Sequence, residues 1–505
     1  MLPMVELTIF ALGILLIDLM IPRQWKWLNA LGAFMGVAFA AVCTWRIQAT
    51  LPTGSIGFYN SLLVDRFAIY FWYLFLASAA VAILMSVRYL DIEDEHHGEY
   101  YALLLFSVIG MMCMAAGIDI VLLFIGLELM AISIYVLVGF LRRDRRSNEA
   151  ALKYLLLGAF SSGIFAYGLS LLYGLSGSTN LAVIGIAVGR LAASNPHNPI
   201  LIIAMLTTIV GLLFKIAAVP FHQWAPDAYE GAPTSITGFM SVAVKAAAWA
   251  LLFRILVYPI LAGGRFYFPA LFPMRAVYTP VIVFVAIATM TGGNLAALTQ
   301  TNTKRLLAYS SIAHVGYMLL ALVAIGTSAV GSPGFVDGIK GILVYLLVYT
   351  FMNLGVFAVI TSLRQRNVIG DELDDMAGLY SRAPVEAVLM FLFLLSLAGI
   401  PPAAGFLGKY YIFLSLIESQ HYLLAALAVL YALFGLYYYL RIANAMFMRE
   451  ATEAERLPVS LGMKAAVGVA ALATIVIGVF PEPFIRSVNW SLGIAQAPHV
   501  AAMIK

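Results

Sequence analysis

Apolar runs of about 20 residues recur from one end of the chain to the other, separated by short polar loops. A helix of about that length crosses the hydrocarbon layer of a membrane. Marking the runs by the charges, prolines and glycines that bound them predicts an all-α membrane protein with about fourteen spans. We place these spans at 3–22, 27–46, 66–87, 99–116, 118–140, 149–175, 198–224, 233–260, 276–298, 303–327, 336–363, 384–418, 423–447 and 463–481. The run LAVIGIAVGRLA, which begins at Leu181, is apolar but short and is not counted.

The composition agrees with this interpretation, since 63% of the 505 residues are hydrophobic and 11% are charged. Soluble proteins are closer to half apolar and a quarter charged. Although the net charge is +4, the basic residues sit mostly in short loops. The sequence shows no extended basic arm and no nucleic-acid motif. We therefore predict a lipid bilayer, and no nucleic acid, as a partner.

The first apolar run is predicted to be a retained helix rather than a signal peptide. No Lys or Arg precedes it, and it contains Glu6 and Asp18. Cys43 and Cys113 also lie in apolar runs. Because two cysteines are too few for a disulfide framework or a Cys-ligated cluster, we expect both to serve in packing.

Loops after odd-numbered spans carry most of the basic residues, which predicts their side of the membrane. These residues are Arg23, Lys26, Arg88, Arg142, Arg143, Arg145, Arg146, Lys304, Arg305, Arg364, Arg366, Arg382, Arg449 and Arg456. Loops after even-numbered spans have fewer, chiefly Arg66, Arg190, Arg265 and Arg275. Because Lys and Arg favour the cytoplasmic side, both termini are predicted to face the opposite side.

A faint internal repeat links spans five to seven with spans ten to twelve. The matched segments are Tyr154–Phe165 with Tyr345–Phe357, Ala131–Leu137 with Ala313–Leu319, and Ala218–Pro220 with Gly399–Pro401. Five spans separate the copies, so the second copy would be inverted in the membrane. Inverted repeats with broken helices are typical of transporters.

Four ionisable residues lie conspicuously inside spans: Glu128, Lys215, Lys245 and Lys409. An ionised side chain at the centre of a spanning helix costs at least ~3 kcal/mol, which favours a functional role. The structural alternatives are snorkelling at a helix end or a buried ion pair that fixes packing. Snorkelling fits three other basic residues better: Lys153, Arg254 and Arg441.

The chemistry that these residue types favour at this depth is proton transfer. The proton affinity of a buried lysine depends on desolvation and on any neighbouring carboxylate, so a Glu–Lys pair whose separation changes can hold or release a proton. Lys215 lies five residues before Pro220, and Lys409 lies eight after Pro401. Proline opens a helix, and the freed carbonyls need protein or water partners at membrane depth. Both lysines therefore sit beside predicted helix breaks.

Two histidines are further candidates. His314 lies inside a span near Ser310, Ser311 and Tyr317, as either a proton relay or a hydrogen-bonded core residue. His222 follows Pro220 and fits a structural role or proton uptake equally well.

Two acidic features have simpler interpretations. Asp119 begins a span, where a carboxylate suits the helix dipole. The run Asp371, Glu372, Asp374 and Asp375 is most simply a solvated loop, with partner docking as the alternative.

The sequence lacks the motifs of nucleotide and haem chemistry. It contains no G-x-G-x-x-G or Walker-type phosphate loop, and its seven histidines are not arranged as facing pairs within spans. We therefore predict no redox centre, cofactor or metal in this chain. If it moves protons, another subunit, a gradient or a substrate supplies the energy.

The chain resembles the antiporter-like N-type subunits of the bacterial proton-pumping NADH:quinone oxidoreductase, respiratory complex I, whose mitochondrial counterpart is subunit 2. The resemblance covers roughly residues 99–447, and outside this region only hydrophobicity agrees. The phrase WAPDAYEGAPT, followed by a lysine in the next span, is similar to the N type rather than the L or M types. The stretches that carry the resemblance are FIGLELMAISIYVLVGFLRRDRRSNEAALKYLLLGAFSSGI, LLFKIAAVPFHQWAPDAYEGAPTSITGFMSVAVKAAAWALLFRI, GNLAALTQTNTKRLLAYSSIAHVGYML and MAGLYSRAPVEAVLMFLFLLSLAGIPPAAGFLGKYYIF.

The resemblance implies fourteen helices with two inverted five-helix repeats, spans 4–8 and 9–13, each with a Pro-broken helix. The family's proton-translocating positions fall on Glu128, Lys215, Lys245, His314 and Lys409. In the family's working model the Glu–Lys pair modulates proton affinity, the central lysine passes a proton along the membrane plane, and the terminal lysine releases it.

The resemblance also implies a cellular setting. M-like and K-like neighbours would flank the chain in the bacterial inner membrane, with both of its termini on the periplasmic side. FMN, iron–sulfur clusters and quinone would belong to partner subunits. The chain then divides into an N-terminal three-helix segment at 1–98, a first repeat at 99–260, a second repeat at 276–447, and a C-terminal span and tail at 448–505.

Two other functions stay open from the sequence. A related cation/proton antiporter complex shares the fold, so the broken helices alone do not exclude it. A purely structural membrane scaffold is the third alternative, and it predicts that Lys215→Ala leaves proton pumping intact.

Overall fold

The computed structural model describes residues 1–50, 54–257, 260–262, 265–267, 271–364, 370–450 and 459–493. The loop residues Arg366 and Arg456, the side chain of Arg265 and the tail 494–505 lie outside this description. Within the described ranges, eleven helices are long and apolar enough to cross a membrane. The chain is therefore a helical membrane protein, as the hydrophobic pattern predicts.

The N-terminal part contains three long helices and a short hairpin. The helices are α1 (Leu2–Asp18), α2 (Leu28–Thr50) and α3 (Arg66–Glu93), and the hairpin pairs β1 (Ser55–Gly57) with β2 (Leu62–Val64). In the antiparallel register Ser55 lies opposite Val64. A 3-10 turn, Arg23–Trp25, follows α1. Asp65 begins α3 by accepting a hydrogen bond from the Ala68 amide at 2.8 Å, as an N-cap residue does.

The next part carries eight helices and one π-helical turn. The helices are α4 (Gly98–Ala116), α5 (Ile120–Val138), α6 (Arg145–Ser176), α7 (Leu181–Ser194), α8 (Pro199–Lys215), α9 (Trp224–Gly231), α10 (Thr234–Phe239) and α11 (Lys245–Leu256). The π-helical turn, Met240–Val244, joins α10 to α11. Asp119 caps α5 through the amides of Val121 and Leu122, the helix-start role predicted for it.

The last part begins with a second hairpin, β3 (Ile260–Ala262) and β4 (Arg265–Tyr267). Its helices are α12 (Arg275–Thr299), α13 (Thr303–Thr327), α14 (Pro333–Ser362), α15 (Leu379–Arg382), α16 (Pro384–Ala398), α17 (Gly405–Glu418), α18 (Tyr422–Met448), α19 (Leu461–Val479) and α20 (Glu482–Ser491). Two 3-10 turns, Phe272–Met274 and Leu373–Met376, lie in the connections.

Two predicted spans are interrupted where prolines were expected to break them. Segment 216–223 separates α8 from α9, and segment 399–404 separates α16 from α17. Side-chain hydroxyls satisfy backbone amides at both interruptions. The Val219 amide donates to Thr289 Oγ1 at 3.0 Å, and the Gly405 amide donates to Ser396 Oγ at 3.0 Å. Such partners are what irregular backbone requires at membrane depth.

The spans differ sharply in how much of their surface is enclosed. The most hydrophobic window is 100% buried in the span Thr234–Leu256 and 94% buried in α13 and in α14. The corresponding values for α18, α19 and α6 are 28%, 39% and 39%. These enclosed spans form an inner layer. Two predicted site residues, Lys245 and His314, lie on it, and Lys409 lies on α17, which packs against α14.

Two expectations about charged residues were wrong. Arg254 does not snorkel, because it is 0% exposed and makes a bidentate ion pair with Asp65 at 2.7 and 2.9 Å. Arg441 is only partly buried and donates to the carbonyls of Leu298 and Gln300 at the end of α12.

The second wrong expectation concerns Asp371, which is buried and not part of a solvated loop. It pairs with Lys304 at 3.1 Å. Burial raises the pKa of the Asp371 carboxyl, and Lys304 opposes that shift. Hydropathy along one chain does not show which helix ends meet, so none of these partners was visible in the sequence.

Candidate functional site

Lys215 is the last residue of α8, directly before the first interruption. Its side chain is 4% exposed, and Nζ donates to the hydroxyl of Tyr135 on α5 at 3.4 Å. The ammonium also lies 5.9 Å from the centre of the Tyr135 ring. Because Ile216 and the following residues leave the helix, Lys215 sits where α8 ends inside the protein.

A column of aromatic rings positions Tyr135. Its ring meets that of Tyr154 edge-on at 4.6 Å, and Tyr154 stacks on Trp224 at 4.3 Å. Trp224 Nε1 in turn donates to the Phe214 carbonyl at 2.9 Å, one residue before Lys215. The column therefore connects α5, α6 and α9 with the end of α8.

Glu128 lies on α5, seven residues before Tyr135 and so on the same helix face. The side chain is partly exposed, but its Oε1 is buried and has no hydrogen-bond partner among the described residues. The described residues show no direct ion pair between Glu128 and Lys215, so the predicted Glu–Lys pair is separated in this structure.

Lys245 follows the π-helical turn and is 2% exposed. Its Nζ donates to the hydroxyl of Ser311 on α13 and lies 5.7 Å from the centre of the Tyr229 ring. Ser311 also accepts a hydrogen bond from Tyr349 on α14 at 2.7 Å. π-helical turns are rare and often occur at functional positions.

His314 has a hydroxyl partner at each ring nitrogen. Nδ1 is hydrogen-bonded to Tyr345, and Nε2 is hydrogen-bonded to Tyr439 at 2.9 Å. The His314 ring also lies 5.3 Å from the ring of Tyr349, which donates to the Ser311 hydroxyl beside Lys245, and 6.1 Å from the ring of Tyr317, which lies next to Lys409. The structure thus places His314 between the central and terminal lysines, in a cluster of hydroxyl groups.

Lys409 is 5% exposed and lies on α17, one turn after the second interruption. Its Nζ donates to the carbonyls of Leu397 and Ala398 at 3.1 and 2.6 Å. These carbonyls belong to the last turn of α16, where intrahelical partners are missing and the dipole favours a cation. The ammonium also lies 5.3 Å from the centre of the Tyr317 ring.

His222 lies in segment 216–223 and is half-buried. Its Nδ1 is enclosed without a hydrogen-bond partner among the described residues. No described hydrogen bond joins His222 to Lys215, so the structure leaves it beside the candidate site rather than in the contact chain.

A network of charges at one end of α6, α9 and α13 was missed by sequence reasoning. The Asp227 carboxylate forms ion pairs with Lys153 at 3.0 Å and with Arg305 at 2.6 Å. Arg305 also pairs with Glu230 at 2.8 Å. Burial alone would raise the pKa of the Asp227 carboxyl, but the hydrogen bonds from Lys153 and Arg305 lower it below its usual value. The spacing of these residues along the chain carried no signal that they meet.

Comparisons with known proteins agree with this architecture. The family model described as "NADH:quinone oxidoreductase/Mrp antiporter, TM" matches residues 117–435. The chain is similar to NADH-quinone oxidoreductase subunit N 1 of Koribacter versatilis, with 62% identity over 100% of this chain and 97% of the relative. Two solved structures show the same fold.

One is a chain of respiratory complex I from Thermus thermophilus with bound aureothin, with a TM-score of 0.77, 29% identity, and coverage of 96% of this chain and 99% of the other. The second is a chain of the Mrp complex from Dietzia sp. DQ12-45-1b, with a TM-score of 0.79, 20% identity, and coverage of 99% and 98%. At that identity the second comparison concerns the fold alone.

Proposed function

This chain belongs to the family of NADH-quinone oxidoreductase subunit N, and from that premise we propose that it translocates protons along an axis of ionisable side chains. The axis runs through Glu128, Lys215, Lys245, His314 and Lys409. As a membrane-arm subunit of respiratory complex I, the chain is part of a proton-translocating NADH:quinone oxidoreductase. NADH oxidation and quinone reduction take place in partner subunits.

One contrast carries the proposal. Two other buried cations, Arg254 and Lys304, are each paired with a carboxylate. Among the described residues, Lys215, Lys245 and Lys409 instead contact hydroxyls, carbonyls and aromatic rings. A buried lysine that gives up its proton beside a carboxylate leaves an unpaired negative charge, which is costly. Neutral partners remove that cost, so these lysines suit a cycle of protonation and deprotonation.

Hydroxyl groups and rings connect the axis between the lysines. Lys245 donates to Ser311, which also accepts from Tyr349. The Tyr349 ring lies 5.3 Å from the His314 ring, and His314 lies 6.1 Å from Tyr317, the ring beneath Lys409. These contacts support the proposal that a proton released by Lys245 passes through the Ser311 and tyrosine hydroxyls around His314 on its way to Lys409. Helix α9 connects the surroundings of Lys215 with those of Lys245. It carries Trp224, which belongs to the aromatic column beside Lys215, and Tyr229, whose ring lies near Lys245.

The two helix interruptions would open the axis to water. Lys215 ends α8 before one interruption, and Lys409 caps the helix that ends at the other. We propose that α1, the span at 198–224, which is interrupted after α8, and the broken pair of α16 with α17 complete a set of fourteen spans. Spans 4–8 and 9–13 would then be inverted repeats within 99–260 and 276–447, between an N-terminal segment at 1–98 and a C-terminal span at 448–505.

The setting of the chain is the remaining part of the proposal. The basic loops favour a bacterial inner-membrane protein with both termini on the periplasmic side. M-like and K-like subunits would flank it in the membrane arm. FMN, iron–sulfur clusters and quinone would reside in partner subunits, and His222 would take up protons near the first interruption.

Proton pumping by the assembled complex in liposomes tests this function. Lys245→Met is expected to abolish the NADH-driven pH gradient while the complex still oxidises NADH with an artificial acceptor. The matched control is Lys464→Met, because Lys464 is exposed on α19. Wild-type pumping in the Lys245→Met complex would refute the axis.

A cation/proton antiporter complex is the second candidate, because the fold is shared with a chain of the Mrp complex. Purification separates the two. The proposed function predicts copurification with flavin- and iron–sulfur-bearing subunits. An active Na⁺/H⁺ exchange by complexes that lack those subunits would favour the antiporter.

A further inference from the structure

Ser161 and Ser162 on α6 have buried hydroxyls with no hydrogen-bond partner among the described residues. The two side chains are 4% and 6% exposed. Serine and threonine in a membrane helix usually donate to the carbonyl one turn earlier. Ser78, Ser86 and Thr208 do so here, each at 2.7 Å. The two α6 hydroxyls therefore point away from their own helix and need another partner.

Helix packing places this serine pair level with Lys215. Helices α6 and α8 run antiparallel, with Phe165 against Gly211 and Gly168 against Thr208. Continuing this register by one turn brings Ser161 opposite Lys215. Both serines lie on the buried stripe of α6 that also holds Gly158 and Phe165.

The same serine pair is level with Glu128 on the other side. Helix α5 also runs antiparallel to α6, because Phe124 stacks near Phe165 at 6.4 Å and Tyr135 meets Gly158. Along α5, Glu128 lies between Phe124 and Tyr135. Along α6, Ser161 and Ser162 lie between Gly158 and Phe165. Glu128 Oε1 is likewise buried and without a partner. Three unsatisfied polar atoms thus share one depth beside a buried ammonium.

We infer that Ser161 and Ser162 hold water that bridges Glu128 to Lys215, which makes them positioning residues for proton transfer between the two. A buried water commonly makes two to four hydrogen bonds, and this site offers two hydroxyls, a carboxylate oxygen and an ammonium. The water accepts a proton from Lys215 Nζ as it releases another to the Glu128 carboxylate, so it keeps no net charge. This inference rests on the proposed function.

The test compares variants of the assembled complex in liposomes. The double variant Ser161→Ala/Ser162→Ala is expected to assemble and to slow NADH-driven pumping about tenfold, which corresponds to about 1.4 kcal/mol of the barrier. Threonine at both positions keeps the hydroxyls and should restore pumping. Ser170→Ala is the matched control, because Ser170 is exposed on the same helix and donates to the Tyr167 carbonyl.

Two outcomes separate the inference from the function on which it rests. If Glu128→Ala stops pumping while the double alanine variant pumps normally, the serine pair has no role but the axis stands. If Glu128→Ala also pumps normally, the axis itself fails. A map of the wild-type complex that shows ordered water should place a water within hydrogen-bond distance of both serine hydroxyls, and a dry site would overturn the inference even if the alanine variant does not assemble.

Discussion

Gly158 on α6 faces Tyr135 so closely that a Cβ at position 158 would overlap the Tyr135 hydroxyl and lie 2.6 Å from its Cζ. The same hydroxyl accepts the hydrogen bond from Lys215. The absence of a side chain at position 158 therefore makes room for the first lysine contact of the axis.

Gly158→Ala should displace the Tyr135 ring and reduce proton pumping severalfold with little loss of assembled complex. Gly163→Ala on the same helix is the control, because a Cβ there meets no atom within 4 Å. Pumping is measured as acidification per NADH oxidised in liposomes. Equal rates for the two variants would show that Tyr135 does not position Lys215.

Glu128→Ala and Lys215→Ala should each lower pumping by about a hundredfold, the usual contribution of a positioned proton-transfer group. Assembly should change far less, because no direct ion pair joins them among the described residues. Native gels measure assembly and liposomes measure pumping, with Glu149→Ala on the exposed end of α6 as the control. Loss of the complex on the gel would instead support a structural pair.

Lys409→Arg should preserve assembly and abolish pumping. The guanidinium keeps a positive charge beside the carbonyls of Leu397 and Ala398, but arginine does not release its proton in proteins. Lys464→Arg on the exposed face of α19 serves as the matched change. A pumping Lys409→Arg complex would show that position 409 acts only through its charge.

The lowered pKa of the Asp227 carboxyl predicts that the free energy of unfolding changes with pH. Its folded-state pKa is lowered, so its contribution is present above the unfolded value of about 3.9 and is lost as pH falls through the lower folded value. The carboxylate is 28% exposed, so the contribution is about 1 kcal/mol.

Thermal unfolding of the purified chain in detergent measures this effect. Between about pH 5 and pH 2 the midpoint should fall further in the wild type than in Asp227→Asn. Asp374→Asn removes a highly exposed pair with Arg449 and should leave the wild-type slope unchanged. Identical slopes for wild type and Asp227→Asn would contradict the prediction.

Arg254→Met should destabilise the chain by about 3 kcal/mol, because it leaves Asp65 without its buried partner. Adding Asp65→Asn removes the unpaired charge and keeps a residue able to cap α3, so part of the stability should return. Denaturation of the four chains of this double-mutant cycle measures the coupling. Additive losses would mean that the two side chains act independently.

Much of the architecture could be predicted because hydrophobicity and proline act locally. The run containing Lys215 and the later Pro220 shows both a span and its interruption, and the structure has α8 end at that lysine. Burial of Lys215, Lys245 and Lys409 could be expected for the same reason, since each lies well inside an apolar run.

The contacts between distant helices could not be predicted in this way. Asp65 and Arg254 are 189 residues apart, and Lys304 meets Asp371 across another loop. In the sequence, Tyr135, Tyr345 and Tyr439 look like ordinary aromatic residues of apolar spans. Their hydroxyl groups find hydrogen-bond partners only when α5, α13, α14 and α18 are brought together. Even the π-helical turn before Lys245, with the sequence MSVAV, has no signature that distinguishes it from an ordinary apolar helix.

The separation between enclosed and open helices has an evolutionary consequence. Helices α18, α19 and α6 expose much of their apolar surface, whereas α13 and α14 are almost wholly covered. Substitutions that retune the outward faces for a new neighbour or a different lipid thickness need not disturb the interior groups. The buried interior can therefore stay the same while the outward surface changes.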